Sequence, residues 1–147
     1  MKTIKFQQDL ISTLAKGKIM RIVILKNQSS VDFLMDAYLI RVPSHELWID
    51  VEKIMHLFSS GLDIAKIYDE KSYSTAKLTD KLIIRGKNKL VELQGVDGTI
   101  ALVDRRLLKY FESPSFLMKN STSPIGVYED GVFVGLVAPC SIPQEVY

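Results

Sequence analysis

The residues best suited to chemistry in this chain are three cations, Arg105, Arg106 and Lys109, which closely follow Asp104. If residues 105–112 form a helix capped by Asp104, these cations share one side of it. Guanidinium and ammonium groups on such a side bind the phosphate oxygens of a nucleic acid without reading its bases. An ordinary solvated helix face carries the same pattern, so phosphate binding and simple solvation both remain open.

Other residue types that support catalysis or metal binding are poorly spaced. His45 and His56 are eleven residues apart and lack the i, i+4 spacing that brings two imidazoles to one metal on a helix. Cys140 has no neighbouring histidine, and no serine lies in a nucleophile elbow. We therefore expect no catalytic activity, no metal site and no cofactor.

Composition limits the class of protein. The 147 residues include 19 basic and 17 acidic side chains, and a net charge of +2 does not by itself indicate nucleic-acid binding. A hydrophobic content of 47% is enough to fill the core of one domain. The single cysteine excludes an internal disulfide, and no apolar run is long enough for a signal peptide or a membrane-spanning helix. We expect a cytoplasmic protein with no membrane partner.

Residues 1–43 are expected to form a helix followed by strands. A short helix that Gly17 can end has apolar residues on one side, at Leu10, Ile11 and Leu14. Residues 19–25 and 31–42 are rich in β-branched and apolar side chains, and a polar connection separates them. We therefore expect residues 1–43 to form a first unit of one helix and two strands.

Residues 44–80 form an insertion in this interpretation. The insertion contains a middle helix that begins at Asp50, ends near Gly61 and has an apolar face of Val51, Ile54, Met55 and Phe58. Trp48 precedes this helix. It is either an anchor for a partner protein or a residue buried under the helix.

Residues 81–147 are expected to form a second helix-and-strand unit. A turn at 86–89 joins strands at 81–85 and 90–93. The basic helix is barred from continuing by Pro114, and the other strands are predicted at 99–103, 115–119, 125–128 and 132–138. The predicted fold class is α+β: a single domain, residues 1–147, made of two helix-plus-strands units with an inserted middle helix.

Three segments near the carboxyl end carry a family resemblance. Residues 99–111 are Thr-Ile-Ala-Leu-Val-Asp-Arg-Arg-Leu-Leu-Lys-Tyr-Phe, residues 123–128 are Ser-Pro-Ile-Gly-Val-Tyr, and residues 132–142 include Val-Ala-Pro. They resemble the strand and helix, the Ser-Pro-hydrophobic strand and the closing strand of the last unit of a bacterial sliding clamp. The sequence is therefore similar, over residues 99–142, to the processivity clamps of DNA polymerases.

The resemblance implies helices that face the hole of a ring, where basic side chains contact duplex phosphates, and a sheet that forms the outer wall. The DNA-binding positions it carries over are Lys16, Lys18, Arg105, Arg106 and Lys109. It also implies a groove for a partner peptide, lined here by Leu136, Ala138 and Cys140. Sheet core is the alternative interpretation of these three residues.

Two features of the chain depart from the clamp family. Ser141 stands where bacterial clamps commonly carry arginine. The chain also supplies about one of the six domains of a clamp ring, so a ring would need six copies or another protein. A homo-oligomer is therefore one expectation.

Two functions are predicted from different classes. The first is a non-enzymatic, clamp-like protein associated with DNA replication, which contacts the phosphates of duplex DNA without sequence specificity. The alternative is a protein-interaction module of a phage or mobile element, an inhibitor or adaptor that does not bind DNA. It would use an apolar patch near Trp48 or Leu136 to bind a replication or host protein.

Overall fold

Nine antiparallel strands form one sheet in the computed structural model, which describes residues 1–16, 22–51 and 67–140. The strands in chain order are β1 (Val23–Lys26), β2 (Ser30–Leu34), β3 (Tyr38–Pro43), β4 (Ser74–Arg85), β5 (Asn88–Gly95), β6 (Ile100–Asp104), β7 (Ser115–Met118), β8 (Ile125–Glu129) and β9 (Val132–Val137). Their order across the sheet is β1-β2-β3-β9-β8-β7-β4-β5-β6. β9, the last strand of the described residues, therefore joins the amino-terminal meander to the remaining strands.

The sheet curls so that β6, at one end of the sheet order, meets the segment that follows β9. The backbone N–H of Cys140 donates to the carbonyl oxygen of Leu102 in β6, at 2.6 Å. Further back along the same segment, β9 pairs with β3 between Gly135 and Val137. Strands β9, β8, β7, β4, β5 and β6 consequently form a closed circuit, and β1, β2 and β3 extend it on one side.

One α-helix, α1 (Thr3–Ala15), covers the core of this sheet. Phe6 and Leu10 are buried, and the ring of Phe6 meets the rings of Phe33 and Tyr110 edge to face, with both centroid distances at 5.3 Å. Such contacts add to the stabilisation that apolar burial provides. The core beneath the helix is made of fully buried strand residues, chiefly Phe33, Ile40, Val42, Leu93, Val103, Ile125, Val127 and Val137.

A buried glutamine attaches α1 to the connection after β3. The side-chain amide of Gln7 donates to the carbonyl oxygen of Glu46 at 3.0 Å, and its oxygen accepts from the backbone N–H of Trp48 at 2.9 Å. Buried amides are stable only when they are hydrogen-bonded in this way. The helix is thus held in place by both apolar and polar contacts.

Tyr110 provides a pH-dependent contact with α1. Its hydroxyl donates to the Asp9 carboxylate at 2.7 Å, and this hydrogen bond is the main cause that lowers the pKa of Asp9 below its ordinary value of 3.8, with Lys5 adding to the effect. A carboxyl with a lowered folded-state pKa adds stability above its unfolded-state pKa and loses it as the pH falls through the folded-state pKa.

We expect Tyr110→Phe to lower the free energy of unfolding by about 1 kcal/mol at pH 7. The difference from the wild type should shrink below pH 3.8, because a protonated Asp9 is the weaker acceptor. Urea denaturation at neutral pH and at about pH 3 measures both values. Tyr38→Phe is the matched control, since the Tyr38 hydroxyl has no hydrogen-bond partner among the residues described. An equal loss at both pH values would contradict the assigned role of Asp9.

The predicted α+β fold class is wrong, because the structure is mostly sheet and α1 is the one complete α-helix in the described parts of the chain. The predicted helix 105–112 is a single 3₁₀ turn, Arg105–Leu108. Asp104 does cap it, since its carboxylate accepts from the N–H of Arg106 at 2.9 Å. Beyond the turn, however, adjacent Tyr110 and Phe111 are both buried, and the Tyr110 carbonyl accepts from the N–H of Lys2 instead of continuing a helix.

Two other predictions concern the stretch 31–42 and the middle helix. The stretch 31–42 is two strands, β2 and β3, because the chain turns at Asp36 and the N–H of Met35 bonds to the carbonyl of Tyr38. Lys18 and residues 52–61 of the predicted middle helix lie outside the described residues, whereas Asp50 is not helical and Val51 is. Within the described chain no helix has the length and apolar character needed to cross a membrane.

Candidate functional site

The β4–β5 hairpin is built by a tight turn at Gly86 and Lys87. Gly86 has φ of +60°, a backbone conformation that glycine adopts without strain, and Arg85 pairs with Asn88 across the turn. The side-chain oxygen of Asn88 accepts from the Arg106 guanidinium at 3.0 Å. The 3₁₀ turn after β6 thus supports the end of the hairpin.

One edge of β4 is open along most of its length. β7 pairs with β4 only at Ser74–Ala76, whereas β5 pairs with it as far as Arg85. Between Lys77 and Arg85 the strand therefore has a ladder partner on one side only, as far as residues 1–16, 22–51 and 67–140 show. Open edges carry unpaired backbone donors and acceptors, so they are sites where another strand can add.

Three large apolar side chains on β4 are exposed beside this edge. Leu78 is 46% exposed, Leu82 49% and Ile84 70%, and we call these three residues the apolar edge. Leu78 pairs with Leu93 and Leu82 with Val91, so they lie on the sheet face that holds the core. That face continues beyond the core, where the apolar edge has no cover from the described residues.

Four exposed lysines surround the apolar edge: Lys77, Lys81, Lys87 and Lys89, which we call the basic rim. No carboxylate of the described chain forms an ion pair with any of them. Residues 74–95 contain five cationic and two acidic side chains, a formal charge of +3, whereas the whole chain carries +2. The positive charge of the protein is therefore concentrated on this hairpin.

A cleft lies beside a bulge in β4, mostly on the sheet face opposite Leu82 and Ile84, because its lining includes the Lys77–Gln94 pair. The regular register is interrupted between Leu78 and Leu82, and the Thr79 hydroxyl donates to the Glu92 carboxylate at 3.1 Å. The cleft has a volume of about 360 Å³ and lies between Leu78 and exposed Val96. It is large enough to take an apolar side chain of a bound segment.

Four of the predicted DNA-binding residues are described, and they lie at the end of α1 and on or beside the 3₁₀ turn after β6. Lys16 is exposed at the end of α1, Lys109 lies over the Tyr110 ring at 4.9 Å beside α1, and Arg105 is exposed on the 3₁₀ turn. Arg106 instead faces the hairpin, where its guanidinium binds the Asp104 carboxylate at 2.7 Å. This contact holds the pKa of Asp104 below its usual range and raises the pKa of Arg106.

The predicted partner-binding residues lie at different places in the structure. Leu136 and Ala138 line a cleft of about 180 Å³ with Ile67 and Pro124, although Leu136 itself is almost fully buried. Cys140 lies beyond this cleft, where its backbone pairs with β6. Trp48 is about half exposed and stands next to α1, so it is neither part of that cleft nor fully buried.

A larger cleft, of about 530 Å³, lies between β3 and β9, and Arg41 in its lining is already engaged. The Arg41 guanidinium donates two hydrogen bonds to Asp32, at 2.7 and 2.9 Å, and lies 4.7 Å from the centre of the Phe133 ring. His45, at the rim, is exposed, and His56 falls outside the described residues. Across the described chain no three His, Cys, Asp or Glu residues form a group that could hold a metal.

The apolar edge was missed by sequence reasoning, although its turn and part of its strand were predicted. The available signal was the cluster of four lysines around Leu78 and the apolar run 82–84, since lysines are common on exposed edge strands. This signal does not reveal that the apolar face extends beyond the core.

Comparison with known proteins assigns no family to the chain. No protein-family model matches it, and no curated protein or solved structure matches it either. The structure itself defines a mostly-β protein with an open-edged, basic hairpin. The function of that protein has to be proposed from the hairpin and its surroundings.

Proposed function

We propose that this protein is a non-enzymatic, cytoplasmic protein-interaction module that binds a partner protein on the β4–β5 hairpin. The observation that carries the proposal is the apolar edge: Leu78, Leu82 and Ile84 are exposed together on a strand with an open side. Exposed apolar patches with a polar rim are typical of protein-binding surfaces. The lysines of the basic rim supply that border.

A clamp-like function on duplex DNA has less support. It requires two basic helices on a common surface, whereas the second of these is a 3₁₀ turn whose Arg106 is engaged by Asp104 and Asn88. Phosphate contact also gives no reason for exposed leucine and isoleucine at the centre of the basic rim. The interaction module accounts for both the apolar and the cationic residues of the hairpin.

The proposal is tested by selecting binders from a displayed library of random short peptides. We expect binders of the wild type to lose at least about tenfold in affinity for the double variant Leu82→Thr with Ile84→Thr. Threonine keeps β propensity, and both positions are exposed, so each change should alter the free energy of unfolding by no more than about 0.5 kcal/mol. Affinity is measured by fluorescence anisotropy.

Val132→Thr is the matched control, because Val132 is 62% exposed on a different hairpin. Binders should keep their affinity for this variant. Selected peptides that bind both variants as tightly as the wild type would contradict the proposal, and so would a failure to select any. Salt-sensitive binding of a duplex DNA fragment, unchanged in the double variant, would favour the clamp-like function instead.

A further inference from the structure

We infer that the open edge of β4 binds its partner by strand addition, and that the bound segment is extended and alternates apolar with acidic side chains. This inference rests on the proposed interaction module and specifies what the module recognises. Strand addition uses backbone hydrogen bonds for affinity and alternate side chains for specificity. The hairpin provides the elements for both.

The backbone groups of Leu82 and Ile84 point towards the open side of β4. A two-residue turn closes on a hydrogen-bonded pair, which here is Arg85 with Asn88. Antiparallel pairs alternate, so Ile84 with Lys89 and Leu82 with Val91 are the pairs that do not exchange hydrogen bonds. The N–H and C=O groups of Leu82 and Ile84 are therefore directed away from β5, where an added strand would lie.

The same two residues present their side chains on one face of the sheet. Leu82 and Ile84 are two positions apart and both are exposed, so an added strand would place apolar side chains beside them at every second residue. These contacts determine the apolar half of the recognised pattern.

The basic rim determines the other half of the pattern. Lys77 and Lys81 lie on the face of β4 opposite Leu82 and Ile84, whereas Lys89 pairs with Ile84 and lies on the apolar face. The acidic side chains between the apolar ones of an added strand would lie beside Lys77 and Lys81, which favours association and selects against basic segments. An acidic partner is consequently complementary to this surface.

A second copy of the chain is a poorer occupant for the same reason. Antiparallel pairing of two β4 edges about Ile83 would place Lys81 of each copy opposite Arg85 of the other. Like charges directly opposite each other in a sheet are destabilising. Lysines on an edge strand are also a known means of preventing self-association. The charges therefore favour a different, acidic protein.

The test uses two synthetic peptides that share alternating isoleucines and differ only in carrying glutamate or lysine between them. We expect the glutamate peptide to bind at least about tenfold more tightly by fluorescence anisotropy. The charge-reversed variant Lys77→Glu with Lys81→Glu should prefer the lysine peptide. Binding should also slow hydrogen exchange at the amides of Leu82 and Ile84, which should exchange fast in the free protein.

A glutamate peptide with N-methylated backbone amides is the control for strand addition, and it leaves the protein unchanged. It keeps every side chain but cannot donate to the edge, so its binding should be lost. Equal binding of the methylated peptide, or no slowing at Leu82 and Ile84, would overturn strand addition. Equal affinity of the glutamate and lysine peptides would overturn the acidic preference. Slow exchange in the free monomer, or a dimer by light scattering, would mean that the chain or a second copy already covers the edge, and would overturn the inference.

These outcomes are distinct from a failure of the proposed function. Library binders that depend on Leu82 and Ile84 but leave the amides of these residues unprotected would support the interaction module and contradict strand addition. If no binder is sensitive to the double variant, both the interaction module and strand addition are contradicted. Protection of the two amides by duplex DNA, and not by the glutamate peptide, would show that the partner is a nucleic acid and not a protein.

Discussion

Replacing Arg41 with methionine is expected to lower the free energy of unfolding by about 3–5 kcal/mol, because it leaves a buried carboxylate without its counter-charge. The Asp32 side chain is 1% exposed and receives two hydrogen bonds from Arg41, at 2.7 and 2.9 Å. The side-chain amide of Asn27 also donates to it, at 3.1 Å. The variant also loses the contact of the guanidinium with the Phe133 ring.

Urea denaturation of Arg41→Met measures this loss. The double variant Asp32→Leu with Arg41→Met should recover much of it, since no buried charge remains. Arg106→Met is the matched control, because Arg106 also binds an aspartate in bidentate fashion but is exposed, and its loss should change stability little. A small effect of Arg41→Met would mean that water reaches Asp32 and that the pair is not structural.

Gly135→Ala should be similarly damaging, with an expected loss of about 3 kcal/mol or more. An added methyl group at position 135 would overlap the carbonyl oxygen of Leu39 in the neighbouring strand and press on the ring of Phe111. β9 and β3 are paired at this point, so the backbone atoms cannot separate without breaking the ladder. The overlap is therefore relieved only by moving two strands of the sheet.

Gly126→Ala is the informative comparison for this prediction. At position 126 the added methyl would overlap the hydroxyl and ring of Tyr68, which is a side chain and can rotate away. The cost should then be smaller, and it should include the hydrogen bond between the hydroxyls of Tyr68 and Tyr128. Both variants are measured by urea denaturation. An equal cost at the two positions would contradict the distinction between backbone and side-chain contacts.

The sequence allowed good predictions of local features. The helix at the amino terminus is present as α1, the turn at 86–89 joins β4 and β5, and the cap at Asp104 forms. These features depend on a few adjacent residues, such as Gly86, whose backbone conformation the turn requires. Where contacts between adjacent residues determine the local structure, that structure can be predicted from one sequence.

Features that depend on distant contacts could not be predicted in the same way. The predicted helix 105–112 failed because Tyr110 and Phe111 are fixed by α1 and the core, not by helical periodicity. A short segment pays a high nucleation cost to become helical, so tertiary packing can override its propensity. The fold class was wrong for this reason.

The candidate site was hidden for a related reason. Leu82 and Ile84 have the composition of core residues, and only the order of the strands shows that β7 leaves their edge unpaired. Leu136 was predicted either to line a binding groove or to belong to the sheet core, and it is almost fully buried in the sheet. Exposure in a sheet depends on which strands become neighbours, and residue type alone does not decide this.

The position of β9 between β3 and β8 has a consequence for how the chain reaches its native state. Leu39 and Leu136 face each other although nearly a hundred residues separate them in sequence. Loop-closure entropy must be overcome before such a pair can form, and sheets with many distant pairings fold slowly. During synthesis, β3 and β8 remain unjoined until the ribosome releases the last strand. The nascent protein is therefore expected to complete its sheet only after β9 has left the ribosome, with chaperones shielding its unsatisfied strands until then.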